Sequence, residues 1–312
     1  EIGVRLVGSE MCIRDSAIVI GIVFIDLLGF GIVIPILPFY VRSFGVSDVF
    51  IGLLAASYSV MQFLSAPYLG RLSDWHGRRP VLVLSLAGNT AAWTVFGLAG
   101  ELQTLFGLLA GVATLFAARM LAGAMGGNIA TAQAYIADVT PPDRRAGALG
   151  LIGASFSLGF IFGPALGGLL ASDEVVGVAR AVLPPFVPAT RFSLPSFAAA
   201  FLSLVALLAA ALFLPEPDRV RTNRRTTLVG QFRDALADPD LRGLVLAFFL
   251  VSVAFSGIQV MFIPFAADIY GYDESRTALL LTYIGVLGVI NQGLLVGRLA
   301  RRYDETLLAV TG

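Results

Sequence analysis

The sequence predicts an all-α integral membrane protein, and the distribution of its charged residues is the main reason. Of the 312 residues, 57% are hydrophobic and 13% are charged, whereas soluble domains carry about 25% charged residues. The charges are clustered, so long uncharged runs lie between them. Six of these runs have at least about 20 residues, enough for a helix to cross a hydrocarbon core. They cover 49–70, 80–100, 146–172, 192–215, 243–267 and 277–297.

Two further runs contain one charge each and bring the number of predicted spans to eight. The first span, 17–41, contains Asp26, and the fourth lies within 102–137, which contains Arg119. A run of that length would reach about 54 Å as a single helix. We therefore place the fourth span near 111–137 and expect a short helix or loop over 101–110. A ninth span begins near the end of the chain.

A polar linker divides the chain into two parts. Residues 215–242 are rich in arginine and aspartate, and they predict a cytoplasmic linker. Before it lies a six-helix half, 17–214, and after it an incomplete second half, 243–312. Residues 1–16 show no hydrophobic periodicity, and we expect them to be a non-native tail.

An internal repeat relates the two parts. The pattern Gly31-Ile32 followed by Pro38-Phe39 recurs 226 residues later as Gly257-Ile258 followed by Pro264-Phe265. The charged loop Gly70–Arg79 has a weaker copy at an offset of 227 residues, which begins with Gly297-Arg298-Leu299. Two related halves suit a transporter, because they can rock about a site that lies between them.

The arginines predict the orientation in the membrane. The loops on the side of the N-terminus, together with the linker, hold fourteen arginines, whereas the opposite loops, including 172–191, hold four. Positive residues concentrate on the cytoplasmic side, so we expect a cytoplasmic N-terminus. The formal net charge is zero, which gives no general attraction to nucleic acid.

Few residues are available for enzyme chemistry. Cys12 is the only cysteine and His76 the only histidine. A His/Cys metal site is therefore not expected, and neither are a catalytic residue nor a cofactor. Hydrolysis inside the bilayer would need a Ser/His, Cys/His or acidic pair. A non-transporting receptor or scaffold stays open as an alternative.

Asp26 is the acid that lies deepest in a predicted span. It is about 14 Å along its helix, where an unpaired charge costs at least about 2.5–3.5 kcal/mol, so such a residue usually faces a cavity or a partner. Burial disfavours the charged form of a carboxyl, which suits a group that loads and releases a proton. The alternative is a structural carboxyl that is hydrogen-bonded to a neighbouring helix.

The loop Gly70–Arg79 (GRLSDWHGRR) lies between spans two and three. Asp74 is expected near a helix N-terminus, where the helix dipole favours an anion. Arg78 is able to pair with an acid on a neighbouring helix. Simple anchoring at the membrane interface is the alternative for two arginines that follow a span.

Arg119 has 17 uncharged residues before it and 18 after it. It must therefore extend to the interface or find a partner inside the membrane.

Span five contains a glycine pattern. Gly159, Gly163 and Gly167 lie four residues apart and predict one smooth face for close helix packing. Pro164 removes a backbone donor and predicts a bend. Gly150 is about 180° around the helix from Gly159 and is expected to serve a different contact. Generic packing of small residues is the alternative.

Together these motifs resemble the major facilitator superfamily, and within it the proton-coupled drug exporters that include the tetracycline exporters. The resemblance covers 17–312, with Trp75 as a small departure. The matching positions are Asp26, Gly29, Gly31, Pro35, Leu37 and Pro38; Gly70, Leu72, Asp74, Gly77, Arg78 and Arg79; Arg119 to Gly123; and Gly150, Gly159, Gly163, Pro164 and Gly167.

The resemblance implies a major facilitator fold with twelve transmembrane helices, of which this chain would hold eight and the start of a ninth. It implies proton coupling by Asp26 and Arg119. The span-five glycines would mark an antiporter rather than a symporter. The resemblance also implies a cytoplasmic gate, in which Arg78 pairs with Asp138 and whose other members are Gly70, Asp74, Gly77 and Arg79.

Polar side chains within the spans are mostly amides, which suit a broad and weakly polar cavity. We favour Gln62, Gln259 and Asn291 as substrate contacts, although such amides are more often bonds between helices. The sequence thus predicts a monomeric, multi-pass exporter of the inner membrane. Its partners would be protons, the lipid bilayer and a small amphipathic or lipophilic molecule, such as a drug or a tetracycline-like compound. A proton-coupled symporter or importer of a metabolite is the alternative.

Overall fold

The computed structural model describes residues 2–217 and 236–290, and every regular element in these ranges is an α-helix. Seven spans there are long and apolar enough to cross a membrane, which confirms the predicted all-α membrane class. In chain order the helices are α1 (Ile2–Val33), α2 (Leu37–Ser43), α3 (Val49–His76), α4 (Arg78–Phe106), α5 (Leu108–Met125), α6 (Asn128–Val139), α7 (Pro142–Leu170), α8 (Asp173–Val182), α9 (Ser193–Phe213), α10 (Pro239–Tyr270) and α11 (Glu274–Ile290).

Three predicted segments fall partly or wholly outside the described residues. The eighth span, 277–297, is described only as far as Ile290, where α11 ends. The ninth span and most of the linker lie outside the described ranges. At the other end of the chain, α1 begins at Ile2 and continues without interruption into the first span. The expectation that 1–16 is a non-native tail stays a prediction.

Two loop predictions were wrong. Residues 101–110 form no separate element, because α4 continues to Phe106 and α5 starts at Leu108. The predicted outside loop 172–191 contains the helix α8. Ser172 caps this helix by accepting a hydrogen bond from the backbone of Val175. Acids in its first turn and an arginine in its last turn suit the helix dipole.

The first copy of the repeat contains a helix break that the second copy lacks. The first span stops at Val33, a turn follows over 34–36, and α2 then starts at Leu37. A residue that precedes proline is disfavoured in the helical conformation, which accounts for the break before Pro35. At the offset of the repeat, the residue equivalent to Pro35 is Met261, and the helix α10 continues through it. The prolines of the repeat itself, Pro38 and Pro264, lie inside α2 and α10.

Two glycines permit abrupt chain reversals. Gly77 is the single residue between α3 and α4, and it has a φ of 124°. Gly107 separates α4 from α5 and has a φ of 87°. Side chains other than hydrogen are disfavoured in this region of backbone space, so the two connections depend on glycine.

The apolar interior of the first half consists of two clusters with a polar level between them. Val23 and Leu27 of α1 belong to one cluster, together with residues of α4, α6, α7 and α9. Ile32 of α1 belongs to the other, with residues of α2, α3, α4, α5 and α9. Asp26 thus lies on α1 near the boundary between the two clusters.

Because successive helices run in opposite directions, their connections gather at two ends of the bundle. The loop Gly70–Arg79 and the connection at 140–141 lie at one end, which we name the motif end. The segments α2 and α8 and the turn 271–273 lie at the other, which we name the opposite end. Helix α7 packs against α1 on one side and against α11 of the second half on another.

Candidate proton-coupling and gate sites

Asp26 is buried at the polar level of the first half and is hydrogen-bonded to two other helices. Its side chain is 7% exposed. The Asn89 amide on α4 donates to both carboxylate oxygens, at 3.1 and 3.4 Å. The Ser203 hydroxyl on α9 lies 3.4 Å from Oδ1. We expected a cavity or a partner for this acid, and the structure supplies partners from α4 and α9.

Arg119 is also buried, and its guanidinium lies over an aromatic ring. The guanidinium carbon is 4.9 Å from the centre of the Tyr58 ring, a distance at which a cation is attracted to the ring face. Its Nε has no hydrogen-bond partner among the described residues. Tyr58 lies within electrostatic reach of both Arg119 and Asp26.

Gln62, one of the three predicted substrate contacts, joins this group. Its amide donates to the Tyr58 hydroxyl and to the carbonyl of Gly126, both at 3.4 Å. Gln259 is exposed on α10, and Asn291 lies outside the described residues. Sequence reasoning missed Tyr58, although its position four residues before Gln62 places the two side chains on the same face of α3.

Arg78 is the centre of the loop at the motif end. Its Nε donates to Oδ2 of Asp138 on α6 at 2.9 Å, so the expected contact between them is present. Its Nη1 donates to Ser73 at 2.6 Å and to Asp74 at 2.7 Å. Charge-assisted bonds of this kind are stronger than neutral ones, and they fix the end of α3 against the start of α4 and the end of α6.

Glu216 accepts hydrogen bonds from the backbone at the end of this loop. Sequence reasoning missed this residue. Its two carboxylate oxygens accept the backbone N–H groups of Arg78 and Arg79, at 2.7 and 2.9 Å. These groups are the first donors of α4, which have no partner within the helix. We expected Asp74 near a helix N-terminus, but it lies in the last turn of α3. The acid at the N-terminus of α4 is Glu216 instead.

Gly77 and Gly70 differ in their surroundings. A Cβ on Gly77 would lie 2.6 Å from the Glu216 carboxylate, so the cap also requires the absence of a side chain there. A Cβ on Gly70 would meet nothing within 4 Å. Arg79 donates through Nη2 to the carbonyl of Ala211 in the last turn of α9, at 2.6 Å. This bond ties the loop to the sixth span.

The span-five glycines form the crossing of α7 with α1. A Cβ on Gly163 would lie 2.6 Å from the backbone of Gly31, and one on Gly159 would lie 3.1 Å from Leu27. A Cβ on Gly167 would collide with the carbonyl of Ile32. The smooth face is therefore used for direct contact between backbones.

The other two motif positions of span five differ in exposure. Pro164 is buried inside α7. Gly150 is exposed, and a Cβ at this position would meet nothing within 4 Å.

The fold and these sites define a polytopic, all-helical membrane transporter. The family model described as Major Facilitator Superfamily matches residues 19–312. The chain therefore belongs to the major facilitator superfamily.

Curated relatives of known name resemble nearly the whole chain. The class C tetracycline resistance protein of Escherichia coli is 31% identical over 302 residues, which cover 95% of this chain and 69% of that relative. The class E protein of the same organism is 30% identical over 309 residues, or 96% of this chain and 69% of that relative. Multidrug resistance protein 1 of Bacillus subtilis is 30% identical over 289 residues, or 90% and 66%.

Solved structures share the fold. The human organic anion transporter MFSD10 (TETRAN) aligns with a TM-score of 0.63 and 24% identity, over 94% of this chain and 73% of its own. A bacterial homolog of the human lysosomal transporter Spinster, in an inward-facing and occupied conformation, aligns with a TM-score of 0.72 and 16% identity, over 93% and 62%.

Proposed function

We propose that this protein is a proton-coupled antiporter that exports a small amphipathic or lipophilic molecule, such as a drug or a tetracycline-like compound. The observation that carries the proposal is Asp26, an acid buried within a membrane span and hydrogen-bonded to neighbouring helices. Burial disfavours the charged form of a carboxyl, which suits a group that must take up and release a proton. The names of the tetracycline and multidrug resistance relatives support export.

In this proposal Arg119 and Tyr58 set the electrostatic environment of Asp26. Gln62, which contacts Tyr58, would line the substrate path together with Gln259 and Asn291. Substrate and proton would use the path in alternation, because antiport requires that one leaves before the other binds.

The remaining proposed roles concern the two gates. The motif end would face the cytoplasm, as the arginine count predicts, and the protein would be a monomer in the inner membrane with a cytoplasmic N-terminus. The loop around Arg78 would shape the cytoplasmic gate. The backbone contact between α7 and α1 would let the two helices move as one body.

The fold alone does not separate export from import. The crystal structure of a D-xylose–proton symporter aligns with a TM-score of 0.63 at 15% identity, over 92% of this chain and 69% of its own. Proton symport of a metabolite is therefore the alternative that an experiment must exclude.

Transport into inside-out membrane vesicles, with tetracycline as the probe, tests the proposal. An acidic lumen should drive accumulation of tetracycline, and a reversed pH gradient should not. The Asp26→Asn variant should lose accumulation against the gradient but retain tetracycline binding. Asp26→Glu, which keeps a carboxyl, should retain part of the accumulation.

Undiminished uphill transport by the Asp26→Asn variant would refute the role of this acid. Accumulation that requires the reversed gradient would instead indicate symport.

A further inference from the structure

Two hydrogen-bond partners of Asp26, the side chains of Asn89 and Ser203, can each donate and accept a hydrogen bond. Asn89 on α4 is 8% exposed and Ser203 on α9 is fully buried. An amide has two donors and an acceptor, and a hydroxyl is both donor and acceptor. Either side chain can therefore donate to a carboxylate or accept a bond from a neutral carboxylic acid. Protonation of Asp26 need not leave a buried polar group unpaired, which would be costly.

We propose that Asn89 and Ser203 are positioning residues that keep Asp26 hydrogen-bonded in both protonation states and thereby set the pH at which it loads its proton. This inference rests on the proposed function. Donors to a carboxylate favour the charged form. The loss of either donor should therefore make Asp26 keep its proton to a higher pH.

Tyr58 on α3 and Arg119 on α5 are titratable groups at this level. Tyr135 on α6 is a further titratable side chain that is fully buried. Helix α9 contains no titratable residue. The charged residues of α4, α6 and α7 lie near the ends of those helices. Neither Asn89 nor Ser203 is itself titratable, so a shift in the pH profile of either variant is judged against that of a control variant.

The test compares the pH dependence of gradient-driven tetracycline transport among variants. Asn89→Leu and Ser203→Ala should move the midpoint of the profile to higher pH by about one unit. Ser196→Ala is the matched control, because Ser196 is a fully buried serine of α9 that donates to the backbone of Phe192. Its profile should coincide with that of the unchanged protein.

The outcomes separate this inference from the proposed function. If Asn89→Leu and Ser203→Ala lower the rate equally at every pH, the two residues serve packing alone and the inference is wrong. Asn89→Gln, which keeps an amide, should restore the midpoint at least in part if the inference is right. The proposed function fails by a different result, which is uphill transport without the Asp26 carboxyl.

A separate observation concerns the opposite end, where two arginines join the halves. Arg42, in the last turn of α2, donates to Asp48 of its own half through Nε at 2.8 Å and to Asp268 of α10 through Nη1 at 2.7 Å. Arg42 and Asp268 are 226 residues apart, the same offset as the sequence repeat. The pair therefore joins equivalent positions of the two halves.

The second arginine repeats this arrangement. Arg191 donates to Asp173 of its own half and lies 3.7 Å from Glu274 at the start of α11. Beside it, the Ser275 hydroxyl donates to the carbonyl of Gly168 at 3.1 Å. Each arginine thus has one acidic partner in its own half and one in the other half.

We infer that these two clusters are a latch that holds the opposite end closed and can open without leaving an arginine unpaired. When the halves separate, each arginine retains the acid of its own half. The pairs are partly exposed, and exposed pairs are individually weak. A weak pair suits a latch that must open in every cycle.

Thiol labelling of the detergent-solubilised protein tests the latch. Thr277→Cys, introduced with Cys12→Ser, places a reporter at a fully buried position of α11 near this end. Asp268→Asn removes an acid of the other half and should raise the labelling rate by about threefold. Asp48→Asn is the matched control. It removes the acid that belongs to the same half as Arg42, and it should not raise the labelling rate.

Equal labelling of the Asp268→Asn and Asp48→Asn proteins would overturn the latch. The result is independent of proton coupling, because no gradient or substrate is present. Asp268 is exposed, so its replacement does not endanger folding.

Discussion

A methyl group at Gly163 is expected to separate α7 from α1. The added Cβ would lie 2.6 Å from the Cα and the carbonyl carbon of Gly31, whereas ordinary contact begins at 3.4 Å. The obstacle is backbone, which cannot rotate away as a side chain can, so the helices must part locally by about 0.8 Å. Overpacking of this kind costs about 1–3 kcal/mol. The better helix propensity of alanine recovers up to about 1 kcal/mol of this loss.

The assay is the apparent melting temperature of the purified protein in detergent, measured at one heating rate because unfolding of large proteins is often irreversible. Gly163→Ala should melt several degrees below the unchanged protein. Gly153→Ala is the control on the same helix, because a Cβ there would meet nothing within 4 Å. It should melt at the same temperature or slightly above.

The reasoning is refuted if Gly163→Ala and Gly153→Ala melt together. Gly150→Ala extends the comparison within the motif. Its Cβ also has open space, so this variant should be as stable as Gly153→Ala. A loss of transport by Gly150→Ala without a loss of stability would show that this glycine serves another conformation.

Three further outcomes are expected. Glu216→Gln weakens the cap of α4 and should lower stability by about 1 kcal/mol, measured by the same melting assay. Asp138→Asn removes one charged partner of Arg78, so it should reduce transport in vesicles more than it lowers the melting temperature. Arg42 holds the pKa of Asp48 below its ordinary value, chiefly by hydrogen bonding. The resulting stabilisation is complete above the ordinary pKa of about 3.9 and is lost as the pH falls through the lower folded value. Arg42→Gln should therefore flatten the pH dependence of the melting temperature between about pH 5 and about pH 3.

The spans and the glycine face were predictable from sequence because they depend on local patterns. A membrane helix requires an uncharged run of fixed length, and most of the runs match the observed helices to within about six residues. The first run extends well past the end of α1 at Val33, and the fourth span is divided between α5 and α6. The spacing of Gly159, Gly163 and Gly167 defines a helix face regardless of its partner. Helix α8 was missed, although its signals were present: Ser172 at the cap and two acids in the first turn.

The partners of the charged groups were less predictable, since they depend on which helices meet. Asn89 lies 63 residues from Asp26, and Glu216 lies 138 residues from Arg78. No local rule selects one buried amide from several, or one acid in a polar linker. Arg78 and Asp138 were paired correctly only because the resemblance to a family supplied the arrangement of α3, α4 and α6.

The two ends of the molecule differ in which half supplies the partners of their arginines. At the motif end, the described partners of the Arg78 guanidinium are Ser73, Asp74 and Asp138, and all belong to the first half. At the opposite end, Arg42 crosses to the second half. A pair within one half cannot hold two halves together.

In the proposed function, the loop around Arg78 would therefore affect closure of the motif end by shaping the surface that faces the second half. On this argument, neutralising Asp138 should alter the shape of that surface in every conformation. Neutralising Asp268 should instead change the balance between conformations. Labelling of a buried cysteine at each end distinguishes the two effects, because only the effect of neutralising Asp268 depends on which end is open.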